Sequence, residues 1–183
     1  MYGLVNHSFE HFVRQRYGDQ VWQQVRTAAR LDNEQFMLMG RYDDAVTYDL
    51  VGATVATTGA NAADLLEEFG QYWVTYSERG AYSGVMRMFG RTLPELLGNL
   101  DLMHAQISRT MPDLSAPSFH CSAQTPTSLV LHYKSSRPGL APFVAGLIKG
   151  LGASYDTPVR VSQVAEKGDT SDDDRFLVEF SGR

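Results

Sequence analysis

Apolar side chains recur every three to four residues through the first 110 positions of the chain, a period that predicts helices. Leu4, Val5, Phe9, Phe12 and Val13 mark a helix over 3–16. Gly18 reads as its stop and Asp19 as the N-cap of a second helix at about 20–30, with Val21, Trp22, Val25, Ala28 and Ala29 as its apolar stripe. "FMLMGRYDD" fits neither period. Tyr48, Val51 and Val55 then predict a helix near 47–57. Asn61 is placed to cap a helix over 62–78 that carries Leu65, Leu66, Phe69, Tyr72, Trp73 and Tyr76, with Gly80 as its end and a short helix at 81–89 beyond. Thr92 and Glu95 have capping-box spacing, and Pro94 sits where a first turn tolerates it. One helix is expected from there to about residue 109, with Leu93, Leu96, Leu97, Leu100, Met103 and Ile107 facing inward.

The period changes after Pro112. "SLVLHY" (128–133), "VRVSQVAE" and "RFLVEF" read as strands, the last two joined by the polar loop "KGDTSDDD". Between the first and second strand lies "GLAPFVAGLIKGL", an amphipathic helix with Pro142 in its first turn. Helices first, then a mostly antiparallel sheet with one helix inserted, make an α+β fold. A single domain over 1–183 is expected, with an N-terminal helical part at 1–60 and the remainder at 61–183.

Composition narrows the class. At 43% hydrophobic and 20% charged residues, the chain is globular. A net charge of −5 gives no reason to expect nucleic acid as a partner. No apolar run is long enough to span a bilayer, and "MYGLVNHSFEHF" does not read as a secretion signal. One cysteine, Cys121, cannot close an internal disulfide, which suits a reducing cytoplasm. Asp172, Asp173 and Asp174 read as a solvated turn. No general acid–base pair or nucleophile set stands out, so the chain is expected not to be an enzyme.

The side chain that most needs explaining is His104, four residues after Leu100 and three before Ile107. Helical spacing puts it in an apolar stripe. Burial there favours the neutral imidazole, which needs partners for both nitrogens or a metal on the free one. A core histidine bonded to a backbone carbonyl satisfies the pattern, and so does a haem iron, which needs only one protein ligand. A structural zinc site needs four, and no such cluster is visible. A second stretch, "HYKSSRPG", places Tyr133, Ser135 and Arg137 at alternate positions, hence on one face of an extended segment. Two hydroxyls and a guanidinium suit paired carboxylates; the solvent face of a strand end is the other reading. His7 and His11, four apart, could pair on a metal but fit an exposed polar helix face better, His120 and His132 look like surface residues, and Cys121 reads as a half-buried structural thiol ahead of a metal-ligating or gas-reactive thiolate.

These residues carry a resemblance. "MYGLVNH", "YDDAVTYDLV", "LLEEFGQYWVTY", "NLDLMH", "APSFHC", Tyr133-x-Ser135-x-Arg137 and "GLAPFVAGLIKGL" occur in the order found in the H-NOX family, the haem-nitric-oxide/oxygen-binding domains. That family includes the haem domain of soluble guanylate cyclase and stand-alone bacterial gas sensors, and the chain resembles the cyanobacterial stand-alone branch. The resemblance spans essentially the whole chain. It implies haem b between the helical part and the sheet, with His104 as the axial iron ligand and Tyr133, Ser135 and Arg137 on the propionates. It also implies that Pro117 presses on the macrocycle.

On the gas side, the family's oxygen binders carry a tyrosine five residues after the motif arginine. Here that position is Pro142, which has no donor, followed by Phe143. Leu4, Phe9 and Trp73 are expected to complete the wall, Trp73 with an indole N–H. A donor-poor pocket favours nitric oxide and carbon monoxide over oxygen. The expected signal is a weakened iron–His104 bond that lets the haem relax and informs a separate histidine kinase or cyclic-dinucleotide enzyme. An oxygen sensor and a haem-free interaction domain of the same fold remain alternatives, and a peroxidase-like enzyme would need polar distal groups.

Overall fold

The computed structural model describes residues 1–31, 35–79, 84–111, 114–168 and 172–180, and the chain separates into two compact units, Met1–Phe69 and Gly70–Arg183. The first unit is helical. α1 (Gly3–Tyr17) buries Phe9, Phe12 and Val13. Gly18, at φ 90°, closes it by donating its N–H to the Arg14 carbonyl and opens α2 (Asp19–Ala28). Asp19 does not cap α2 as the sequence suggested. It occupies the first helical turn, and its carboxylate pairs with Arg14 (2.5 Å). Of the α2 stripe, Trp22 and Val25 are fully buried.

α3 (Asp44–Thr58) begins three residues before the sequence pattern predicts, because Asp43 caps it by accepting from the Ala45 N–H (2.9 Å). Its buried face is Thr47, Leu50, Ala53 and Thr54, not the Tyr48–Val51–Val55 face. The reason is polar: the Thr47 hydroxyl donates to Oδ1 of the fully buried Asn6 (2.6 Å), and Thr54 donates to the Leu50 carbonyl. Apolar periodicity cannot register a helix face anchored by buried hydroxyls. α4 (Ala62–Glu78) starts as expected, with Asn61 accepting from the Ala63 and Asp64 N–H groups, and it runs across the border between the two units.

The second unit holds the rest of α4, then α5 (Val85–Phe89), α6 (Leu93–Gly98), α7 (Leu100–Ser108), β1 (Ser118–Ser122), β2 (Ser128–Lys134), α8 (Ala141–Ser154), β3 (Val159–Ala165) and β4 (Asp174–Phe180). Gly80 and residues 81–83 of the expected short helix lie outside the described residues. The Thr92–Glu95 capping box is formed. The single helix expected to about 109 is broken at Asn99 (φ −108°, ψ 10°), whose side chain donates to the Phe89 carbonyl (2.7 Å) and holds the break open.

The four strands form one antiparallel sheet in the order β1-β2-β4-β3. β1 escaped the sequence reading, being short and half polar. The inward face of the sheet, with Phe119, Leu129, Leu131, Tyr133, Phe176 and Val178, meets Leu93, Leu96, Leu97 and Ile148 from the helices. No helix among the described residues is long and apolar enough to cross a membrane.

Candidate functional site

α7 exists to present one face to the second unit's core: Leu100 and Met103 are buried on it, and His104 follows one residue later, half-buried. Its Nδ1 is sealed from solvent and meets no hydrogen-bond partner among the described residues. Burial pushes the imidazole below its ordinary pKa, against a smaller upward pull from the Asp101 carboxylate. His104 is therefore a neutral ring with an unanswered buried nitrogen, an arrangement that costs free energy unless something completes it.

Asp101, one turn earlier, locks this helix to the sheet. Its Oδ1 accepts from the Phe119 N–H (2.5 Å) and its Oδ2 from the Ser118 hydroxyl (3.0 Å). The clamp sets Phe119 beside the histidine: the two rings lie nearly parallel, centroids 5.7 Å apart and planes 22° apart. Phe119 pairs in register with Tyr133 on β2, ring centroids 5.3 Å apart. Pro117, half-buried, is the residue just before β1.

Tyr133, Ser135 and Arg137 are brought together at the end of β2. Burial raises the Tyr133 pKa, and a hydrogen bond with Ser135 opposes that rise. Ser135 Oγ accepts from the Arg137 N–H (3.1 Å), while the Arg137 guanidinium donates to the Ser115 carbonyl (2.7 Å), two residues before Pro117. The Lys167 ammonium donates to the Ser135 carbonyl (2.6 Å), adding a second cation. Hydroxyls and cations thus gather where the segment leading into β1 meets the end of β2.

Pro142 and Phe143 lie in the first turn of α8, just after Ala141, both half-buried. Gly70 of α4 faces this turn so closely that a Cβ would lie 2.2 Å from the Phe143 carbonyl oxygen. Trp73, nearly one turn on, stacks on Tyr76 at 6.3 Å. Leu4 and Phe9 belong to the first unit, on α1; Phe9 is fully buried with its edge toward Phe69 at 5.0 Å.

Asp101, Phe119 and Ser115 were not foreseen from the sequence. Asp101 could have been, since it precedes His104 by three residues on a helix; the other two depend on β1. His132 is not the surface residue the sequence suggests: its side chain is only 12% exposed and bonded on both ring nitrogens. Asp173 likewise leaves the expected solvated turn for that bond, at 13% exposure. Cys121 is half-buried, and burial raises its pKa. Among the described residues no three His, Cys, Asp or Glu side chains gather to hold a metal ion, so these residues do not build a protein-only zinc site around His104.

A family profile described as Haem-NO-binding matches residues 2–163. The soluble guanylate cyclases gcy-31 and gcy-34 of Caenorhabditis elegans are 28% and 30% identical to this chain over 151 and 152 residues, 82% and 81% of its length. The chain spans only about a fifth (22%) of each of those proteins. Among solved structures, the Fe(II) unliganded H-NOX protein from K. algicida superposes with a TM-score of 0.88 at 22% identity, covering 100% of this chain and 98% of that one. The S. oneidensis H-NOX protein in its Fe(II)NO state gives 0.88 at 17% identity, covering 100% of both chains. The α+β arrangement of helices and antiparallel sheet is that of these proteins, and the chain belongs to the H-NOX, or Haem-NO-binding, family of haem-binding gas-sensor domains.

Proposed function

We propose that residues 1–183 act as one haem b sensor domain that takes nitric oxide and carbon monoxide, discriminates against oxygen, and reports to a separate protein. The observation that carries this reading is the neutral, half-buried His104 with its orphaned nitrogen, beside the Tyr133–Ser135–Arg137 cluster. These residues fit the group: a single neutral imidazole is all the protein ligation a five-coordinate haem needs. Haem, when bound, supplies a ferrous iron with one position open to a diatomic gas.

In this reading His104 is the iron ligand, and Tyr133, Ser135 and Arg137 hold the propionates through hydroxyl and charge-assisted bonds. By likeness to the family, Pro117 would hold a rigid ring against the macrocycle, and Leu4, Phe9, Trp73 and Phe143 would be the apolar residues offered to the haem. Pro142 and Phe143 bring no hydrogen-bond donor to the place where oxygen-holding relatives carry a tyrosine, so bound oxygen gains little while nitric oxide, which needs less help, is favoured. Trp73 is the one donor in this set, and its indole N–H supports the alternative of oxygen binding.

Signal output would run through α7. The Asp101 clamp joins that helix to β1, so strain or slack at His104 is felt by Ser118 and Phe119 directly. The receiver is a histidine kinase or cyclic-dinucleotide enzyme in the cytoplasm, by likeness to stand-alone family members. The test is an absorption spectrum of the hemin-reconstituted, reduced protein in air and then under nitric oxide. A five-coordinate ferrous band untouched by air and shifted by nitric oxide is expected. A protein that stays colourless removes the haem; a stable oxygen adduct reverses the gas preference.

A further inference from the structure

On the outward face of the sheet, away from His104, three side chains line up. Ser122 Oγ lies 2.7 Å from His132 Nε2, and His132 Nδ1 lies 2.5 Å from Asp173 Oδ2. The proton positions follow from chemistry. A carboxylate can only accept, so Nδ1 carries the ring proton; in the neutral ring Nε2 is then an acceptor, and the Ser122 hydroxyl must donate to it. That order of donors is the one that turns a serine into a nucleophile.

The surroundings hold it in place. Asp173 Oδ1 accepts from Arg175 Nε (3.2 Å), which leaves Oδ2 for the imidazole. His120, the register partner of His132, stacks on its ring at 4.0 Å with planes 17° apart and fixes the ring's plane. His132 and Asp173 are 12% and 13% exposed, so their bond is shielded from water. Ser122 ends β1, and Ala123 beside it adopts a left-handed φ of 48°, a conformation rare for a side-chain-bearing residue and found disproportionately at functional sites. In register, Ser122 opposes Val130, and Val130 opposes Leu177, so a half-buried valine flanks the hydroxyl and a half-buried leucine stands one strand beyond it on the same face.

We infer that Ser122, His132 and Asp173 form a nucleophilic serine site that accepts the acyl group of an activated ester, with an aliphatic acyl chain resting on Val130 and Leu177. As a bond forms between Ser122 Oγ and the carbonyl carbon, the hydroxyl proton passes to His132 Nε2 and the carbonyl electron pair moves to its oxygen. Collapse of that adduct breaks the bond to the leaving phenolate, which takes the proton from His132. The balance is a serine and an aryl ester giving an acyl-serine and a phenol; no oxidant or further reactant enters. Asp173 acts through His132 and is a positioning residue.

The experiment treats the haem-loaded protein of residues 1–183 with p-nitrophenyl butyrate and, separately, with a fluorophosphonate, and maps modified peptides by mass spectrometry. Ser122 is expected to be acylated and phosphonylated ahead of the other serines. His132→Ala should slow labelling at Ser122 on the order of 10²-fold, the usual worth of a general base, and added imidazole should restore part of the rate. Asp173→Asn should slow it as well. Circular dichroism of each variant shows whether the sheet survives. A folded protein whose Ser122 stays unmodified, or is modified equally fast without His132, overturns the site. The haem spectrum, read on the same samples, reports independently on the gas-sensor reading.

Discussion

His104 shows why one imidazole can define a site. Its surroundings penalise the charged ring, so the folded state binds a proton less readily than the unfolded chain, whose histidine titrates near the ordinary value of 6.5. Between that value and the lowered folded one, the unfolded state holds more protons. Stability from this group is therefore complete above about pH 6.5 and is lost as the pH falls below it. The prediction is that melting temperatures of the haem-free protein decline from pH 7 toward pH 5 and that His104→Asn flattens part of that decline. A remainder should persist, because His7 is pushed the same way, first by burial and then by His11. Parallel pH curves for the two proteins would mean that the ring is not held neutral by folding. The ring's burial was legible in the residues alone, since an apolar stripe with a histidine in it has few readings. Asp173 and His132 were not legible: a run of three aspartates and a lone strand histidine look solvated until a 41-residue separation is closed by the sheet.

At the scale of elements, α7 and β1 behave as one piece because a single carboxylate takes two hydrogen bonds from the strand. Removing it in Asp101→Ala leaves the Phe119 N–H and the Ser118 hydroxyl without that acceptor. A loss of about 1–2 kcal/mol is expected for such a pair, measured by urea unfolding of the haem-free protein. Asp101→Asn, which keeps an acceptor oxygen, should recover part of it. Equal stabilities for wild type and the alanine variant would show that the clamp contributes nothing. The elements that the sequence revealed are those whose signals are local: the Thr92–Glu95 box, the Asn61 cap and the long apolar stripes of α1, α4 and α8. The failures share one cause. The α3 face, the Asn99 break and β1 are decided by partners distant in sequence, namely Asn6, Phe89 and β2.

For the molecule as a whole, the choice of gas is the property that sequence and structure approach from different sides. The fold is shared with relatives of 17–22% identity, so fold alone cannot assign the ligand. In the proposed reading the choice comes from a few side chains that would face the gas. Pro142 sits in the first turn of α8, where its missing N–H costs the helix nothing. A tyrosine there would keep the helix and add a hydroxyl donor. Such a donor is worth more to oxygen, which draws electron density from ferrous iron, than to nitric oxide or carbon monoxide. Pro142→Tyr is therefore expected to give a reduced, haem-loaded protein whose absorption shifts in air, while its carbon monoxide spectrum stays close to that of the parent. If the variant folds, holds haem and still ignores air, the absence of a donor at this position is not what excludes oxygen, and the burden moves to Trp73 and its neighbours on α4. If instead the parent protein already shifts in air, the indole N–H of Trp73 is the first donor to remove, and Trp73→Phe should abolish the shift.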